Sequence, residues 1–407
     1  MTASGETRAA TAGPAARIAE VLTASLLLGL TSFGGPIAHL GYFERAYVRQ
    51  RKWLTSEEYS GLVALCQMLP GPASSQVGFL IGLHRAGWAG AIAAWLGFTL
   101  PSALLLFACA MLSARAQGAW AQAALHGLKL VAVAVVAQAV WSMARRLCPD
   151  RATKALALGT ACLLLVVGGT TVQLLALALG AAGGVLVCRG VDVARNVPGA
   201  SVRPAVAWSA LAAFVALLIG LPLIARAFPH GPAALADIFY RAGALVFGGG
   251  HVVLPLLRDA LVPAGWLSDD AFLAGYGLAQ AVPGPLFTVA AYLGAANAYA
   301  APSVLAAAVA LVFIFLPGLL IATAGVALWG RFAAHARVRA GLAGVNASVV
   351  GILGAALYDP VWTSAVHGPT DAAIAIVGAM LLGRWNAPPI VVVVLCVGAA
   401  EVAMLLR

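Results

Sequence analysis

Apolar residues fill this chain in long blocks, and the interruptions are few and regularly placed. Blocks at about 87–113, 119–144, 151–167, 170–188, 204–228, 301–330, 340–358, 370–385 and 388–406 read as helices. Several are long enough to cross a bilayer, since ~20 residues at ~1.5 Å rise span a hydrocarbon core of ~30 Å. Four more apolar stretches are broken near their middles: 18–43 at Gly34, Gly35 and Pro36; 58–83 at Pro70, Gly71 and Pro72; 234–258 at Gly248, Gly249 and Gly250; and 271–298 at Pro283, Gly284 and Pro285. Each is either a kinked span or a pair of half-membrane helices that enter and leave on one face. Arg17, the segment from Arg45 to Lys52, and Arg85 flank the first two stretches, which favours the re-entrant form. Backbone freed at such a break is tolerated only where protein or a cavity satisfies it.

The pattern repeats along the chain. Phe33, Gly34, Gly35 and Pro36 recur as Phe247, Gly248, Gly249 and Gly250 at an offset of 214, and Pro70, Gly71 and Pro72 as Pro283, Gly284 and Pro285 at 213. Between them Trp53-Leu54 recurs as Trp266-Leu267, with Gln67 matching Gln280; beyond them Leu100-Pro101 recurs as Leu316-Pro317. The expected organisation is a tail (1–16), a first half (17–188), a basic linker with one connecting transmembrane helix (189–230), and a second half (231–407). One extra crossing between the halves inverts the second.

Charge placement supports that inversion. The first half carries Arg45, Arg49, Arg51 and Lys52 after its FGG motif, where the second has only Arg258 with Asp259. The next comparable loop has Arg331, Arg337 and Arg339 in the second half against Arg115 in the first, and the third sets Arg145, Arg146, Arg151 and Lys154 against Asp359, His367 and Asp371. Cytoplasmic loops collect Lys and Arg, so equivalent loops face opposite sides. The fold class expected is an all-α polytopic membrane protein, an inverted-topology repeat of two homologous halves with discontinuous or re-entrant helices.

Composition excludes a cytosolic enzyme: 62% of the 407 residues are hydrophobic and 9% charged, against about 25% charged in soluble domains. The net charge of +10 sits mostly in short connections, so no nucleic-acid partner is expected. Residues 1–16 lack the order of a signal peptide and read as a cytoplasmic tail. Six cysteines (Cys66, Cys109, Cys148, Cys162, Cys188 and Cys396) are scattered without ligand spacing and read as buried packing groups. No nucleotide loop, nucleophile elbow or zinc-protease motif is present, and neither a cofactor nor a metal centre nor an enzymatic activity is expected.

The breaks carry the candidate chemistry. Pro36, Pro72 and Pro285 suit the first position of a second half-helix, whose N-terminus presents bare N–H donors and roughly half a positive charge. Four such ends meeting near the midplane would receive an anion. A helix terminus contributes only ~0.3–2 kcal/mol, so several hydrogen bonds of ~1.5–3 kcal/mol each must offset dehydration. The donors expected are backbone groups around Gly34, Gly35, Gly71, Gly248, Gly249, Gly250 and Gly284, bounded by Pro70, Pro283 and Phe247, with side chains of Thr31, Ser32, Gln67, Ser74, Ser75, Gln76, Gln280 and Thr288. The competing reading is that these small polar residues pack helices. His39 and His251 are candidates for binding or proton coupling. Glu44, Arg45 and Arg258 stand at the mouths as gating candidates or solvated charges, and Lys129 reads as a tether to lipid headgroups.

The blocks from Phe33 to His39, Gln67 to Pro72, Val246 to Pro255 and Gly275 to Pro285, with the two Trp-Leu pairs, resemble the two domains of the bacterial chromate ion transporter family. The resemblance covers nearly the whole chain after the tail. It implies an inner-membrane carrier that exports chromate and confers resistance, with sulfate, another tetrahedral dianion, as a second ligand. The lipid bilayer is its surroundings, and a homodimer is left open. Alternating access is the expected mechanism. A sulfate importer, a passive anion channel and a membrane-embedded enzyme are the other readings.

Overall fold

Prolines set many of the helix starts, because a residue without an N–H costs nothing where that group has no intrahelical acceptor. The computed structural model describes residues 13–113, 118–188, 202–247, 250–297, 303–332 and 335–405. Residues 1–12 of the tail, Arg115, Gly248, Gly249 and most of the basic linker lie outside the described residues, as does the side chain of Arg331. All regular structure among the described residues is helical. The first half has α1 (Pro14–Thr31), α2 (Pro36–Phe43), α3 (Ser56–Met68), α4 (Ala73–Ser113), α5 (Ala119–Leu147), α6 (Arg151–Val166) and α7 (Thr170–Val187). A connecting helix α8 (Pro204–Ala227) follows. The second half has α9 (Pro232–Leu245), α10 (Val253–Leu261), α11 (Asp269–Ala281), α12 (Val289–Ala295), α13 (Val304–Phe332), α14 (Ala336–Ala356), α15 (Pro369–Gly383) and α16 (Pro389–Leu405). The order matches element by element once α4 is divided at Ala86 and Gly87, where its backbone leaves helical geometry. Among the described residues, six helices are long and apolar enough to cross a membrane.

The broken stretches are re-entrant. Glu20, early in α1, accepts a hydrogen bond from Trp53 Nε1 and an ion pair from Arg85 at 2.9 Å, and the Arg85 guanidinium lies 5.4 Å from the Trp53 ring centre. The start of α1, the segment after α2 and the end of α4's first arm therefore share one face. The chain has turned back at both breaks. In the second half, Pro232, Trp266, Asn297 and Ser303 border one small cavity, so the equivalent ends again converge.

Equivalent helices run in opposite directions. His126 near the start of α5 lies 3.0 Å from Asp371 of α15, which follows the end of α14. The first turns of α5 thus stand beside the far end of α14, its own counterpart. Arg145 and Arg146 then share a face with Arg337, Arg339 and the Trp53 mouth, the basic face of the molecule. The halves are also interlocked: α15 and α16 pack on α5, whereas α6 and α7 pack on α14. Glycine permits these crossings. A Cβ on Gly127 would come within 2.6 Å of Val397 Cα in α16, and one on Gly344 within 2.6 Å of Gly184 Cα in α7.

One departure from symmetry matters. Helix α5 packs along α11, where Lys129 Nζ lies 2.7 Å from Asp270 Oδ1. The counterpart pair, α14 and α3, makes no comparable contact among the described residues. Ala343 and Glu57 stand in the corresponding positions, so the second ion pair has no cation. Lys129 is buried and paired, and its expected role as a lipid tether is corrected: a hydrated ammonium so enclosed needs a counter-ion.

Candidate functional site

The breaks meet at the centre of the molecule through reciprocal backbone hydrogen bonds. Gly71 N–H donates to Val246 C=O at 2.7 Å, and Gly284 N–H donates to Ser32 C=O at 2.9 Å. Each PGP break is thereby docked on the FGG region of the other half. Gly71 has φ +116°, and a Cβ there would sit 2.8 Å from Gly318 Cα, so the position admits only glycine. Gln76 Nε2 fixes the turn by donating to Pro70 C=O and to Gly318 C=O. These donors are spent on the fold, and they leave the PGP turns little to offer a ligand.

Beside this junction lies a cavity of about 530 Å³. One wall is the first break, with Gly34, Gly35, Pro36 and Ala38; another is Gly250, His251 and Gln280 from the second half. Helix α5 closes the third side from Val135 to Arg146, a distance of roughly 16 Å, and the segment from Asn386 to Pro389 completes the rim. The cavity therefore runs from the breaks to the basic face. On the opposite side the α5–α11 contact and its ion pair cover the junction.

Several polar groups point toward the enclosed space. Pro36 opens α2 behind Gly35 (φ +54°), and the first amide to bond within the helix is His39 N–H to Gly35 C=O, which leaves the N–H groups of Ile37 and Ala38 at a bare terminus. His251 Nδ1 shares a hydrogen bond of 2.8 Å with the Tyr276 hydroxyl, which fixes the ring. Its Nε2 faces the first break, 3.8 Å from where a Gly35 Cβ would stand. Gln280 Nε2 is buried without a protein acceptor. Arg146 is the single charged side chain among the described residues that line the cavity. An arginine, a histidine, two glutamines and a helix N-terminus are a donor-rich set suited to an oxyanion.

Of the residues expected from sequence, Gly34, Gly35, Pro36, Gly250, His251 and Gln280 line the cavity. Others lie elsewhere. The Thr31 hydroxyl donates to Leu27 C=O within its own helix, and the Thr288 hydroxyl to Pro285 C=O. Gln67 is exposed although its counterpart Gln280 faces inward. Ser32 and Ser75 are buried with unpartnered hydroxyls near the junction but outside the lining. Ser74 contacts His39, whose ring is buried edge-on to Phe98, 5.3 Å between centres. Phe247 packs against the core, Pro283 is buried directly before Gly284, and Pro72 abuts Gly318. Glu44 pairs with Arg49, Arg45 is exposed, and Arg258 pairs with Asp269 on the opposite face. Sequence reasoning did not select Gln138, Ser142, Arg146 or Asn386. The one-turn spacing of 138, 142 and 146 along α5 is the available signal for the first three.

Comparison with known proteins bears on this arrangement. The family described as chromate transporter matches residues 19–188 and 233–401, one match for each half. The chain belongs to the chromate transporter family. It is 30% identical to a chromate transport protein of Pseudomonas aeruginosa over 92% of this chain and 89% of that one. A probable chromate transport protein of Synechococcus elongatus is 27% identical over 94% of each chain, and a chromate transport protein of Cupriavidus metallidurans is 26% identical over 89% of this chain and 86% of its own. No solved structure matches the chain. With its long apolar helices the chain is a multi-pass membrane protein. The paired match also coincides with the two interlocked halves.

Proposed function

We propose that this protein carries chromate across the cell's inner membrane by alternating access, exports it, and so confers resistance. The carrying observation is the one-sided cavity: donor-rich, lined by both halves, reaching the basic face and covered on the other by α5 against α11. The positive-inside rule makes the basic face cytoplasmic, so the N-terminus is inside and the conformation is one that accepts substrate from the cytoplasm. Exchanging the conformations of the two halves, with α14 drawn onto α3 and α5 released from α11, opens the other face. The binding residues are Gly34, Gly35, Pro36, Gly250, His251 and Gln280, with Arg146 added. His251 is the coupling candidate best situated, since its ring touches both the cavity and Tyr276.

The test is chromate flux in vesicles of defined orientation, with sulfate, molybdate and phosphate as competitors. Uphill accumulation inhibited by sulfate and molybdate is expected. Block by phosphate with indifference to sulfate overturns the substrate, and flux that only dissipates gradients makes the protein a channel. Flux indifferent to an imposed pH gradient removes proton coupling through His251.

A further inference from the structure

One cluster of chemistry-bearing side chains lies outside the cavity and takes no part in the transport reading. His126 in α5, His367 in the connection before α15, and Asp371 in α15's first turn offer ligand atoms that all lie within 4.8 Å of one another. His126 Nε2 is 3.0 Å from Asp371 Oδ1, His367 Nδ1 is 3.9 Å from Oδ2, and the two rings are 5.5 Å apart. We propose that these three residues form a binding site for a divalent cation of the zinc type, on the face opposite the cavity and bridging the two halves.

Two imidazole nitrogens and a carboxylate are a common zinc donor set, with the fourth position left to water. The dimensions agree. Metal–ligand bonds of ~2.0–2.2 Å at tetrahedral angles place donor atoms about 3.3 Å apart and ring centres about 5 Å apart. The observed separations bracket the first value and lie near the second. The remaining closure falls to His367, whose side chain is 61% exposed. Asp371 is already held: its side chain is buried, and Oδ2 accepts the backbone N–H of His367 at 3.0 Å. Such an outer hydrogen bond orients a ligating carboxylate. The nearest cation on α5, Lys129, is neutralised by Asp270 at 2.7 Å, which limits repulsion of an incoming ion. His367 and Asp371 are four residues apart, but His126 lies 245 residues from Asp371 along the chain, so no local motif marks the cluster. The fold of α5 against α15 creates the cluster.

The experiment titrates Zn²⁺ into the purified full-length chain without a polyhistidine tag, following free Zn²⁺ with a competing chromogenic chelator and the melting temperature in parallel. No oxyanion is present, so the result is independent of the transport reading. One equivalent bound with a rise in melting temperature is expected. His367→Ala should weaken binding at least ~10-fold, as should His126→Ala and Asp371→Asn. The first of these alters an exposed ring and keeps the test valid if a buried replacement fails to fold. No binding at micromolar Zn²⁺, binding unchanged in His367→Ala, or binding abolished by replacing the exposed Cys162 with Ser instead would each overturn the site.

Discussion

Replacing Asp270 by Asn removes one charge from the contact that covers the junction and leaves the buried Lys129 ammonium facing an amide. At 2.7 Å two unit charges attract by about 6 kcal/mol at an effective dielectric of about 20. The Asp270 side chain is 76% exposed, so water screens most of that attraction and the net contribution is about 1–2 kcal/mol. Since 1.4 kcal/mol is about tenfold, the equilibrium should shift ~5–30-fold toward the conformation open on the Asp270 face. A Ser142→Cys variant, with Cys162 replaced by Ser, reports the shift through an impermeant maleimide applied from each side. Asp270→Asn should slow labelling from the basic face and raise it from the other. Exchanging the partners (Lys129→Asp with Asp270→Lys) should restore the original ratio. Unchanged labelling from both sides, in a variant of normal melting temperature, would refute the view that this pair holds one face shut.

Three further outcomes follow from the geometry. Gly71→Ala should lower the melting temperature sharply or prevent folding, because φ +116° and the Gly318 backbone leave no room, whereas Gly250→Ala meets only ordinary contacts at 3.7 Å and should fold normally. Arg146→Gln should raise the KM for chromate ~10–150-fold, the worth of one charge-assisted hydrogen bond, and Arg146→Lys should recover part of it; flux measured against concentration decides. Asp150 caps α6, and hydrogen bonds from the Thr153 backbone N–H and side chain hold its carboxyl below the ordinary carboxylate range. A depressed pKa contributes stability that is full above the ordinary value and lost as pH falls through the lowered one, so Asp150→Ala should cost ~1 kcal/mol near neutral pH and progressively less in acid, read from melting curves.

Most of the architecture was legible because membrane helices must satisfy their own backbone, which ties apolar run length and Gly/Pro breaks directly to structure. The repeat, the inversion and the re-entrant turns all rested on that constraint together with Arg and Lys placement. The cavity was only half legible. Glycines of the FGG motif face it, but sequence gave no means to see that Gly71 N–H and Gly284 N–H bond across to the other half and leave the ligand pool. Nor does sequence distinguish Gln67 from Gln280, which are equivalent in pattern and opposite in exposure, because nothing in either motif records on which side of the pseudo-symmetric molecule the cavity opens. Arg146 was missed for a related reason. A basic residue at a helix end has the same pattern whether its guanidinium meets headgroups or lines a cavity.

The interlocking of the halves also sets a timetable for biogenesis. Helices α6 and α7 leave the ribosome about 150 residues before α14, the helix they pack against. At roughly 5–20 residues per second they stand in the lipid for about 7–30 s with the faces that will meet α14, Gly180 and Gly184 of α7 among them, uncovered. During that interval the first half is an unfinished object with an open seam, and the seam closes only when the second half arrives upside down beside it. A chain cut within α8 but made as two pieces in one cell should still close the seam, provided that both pieces keep their opposite orientations, and co-purification of the two pieces reads the outcome.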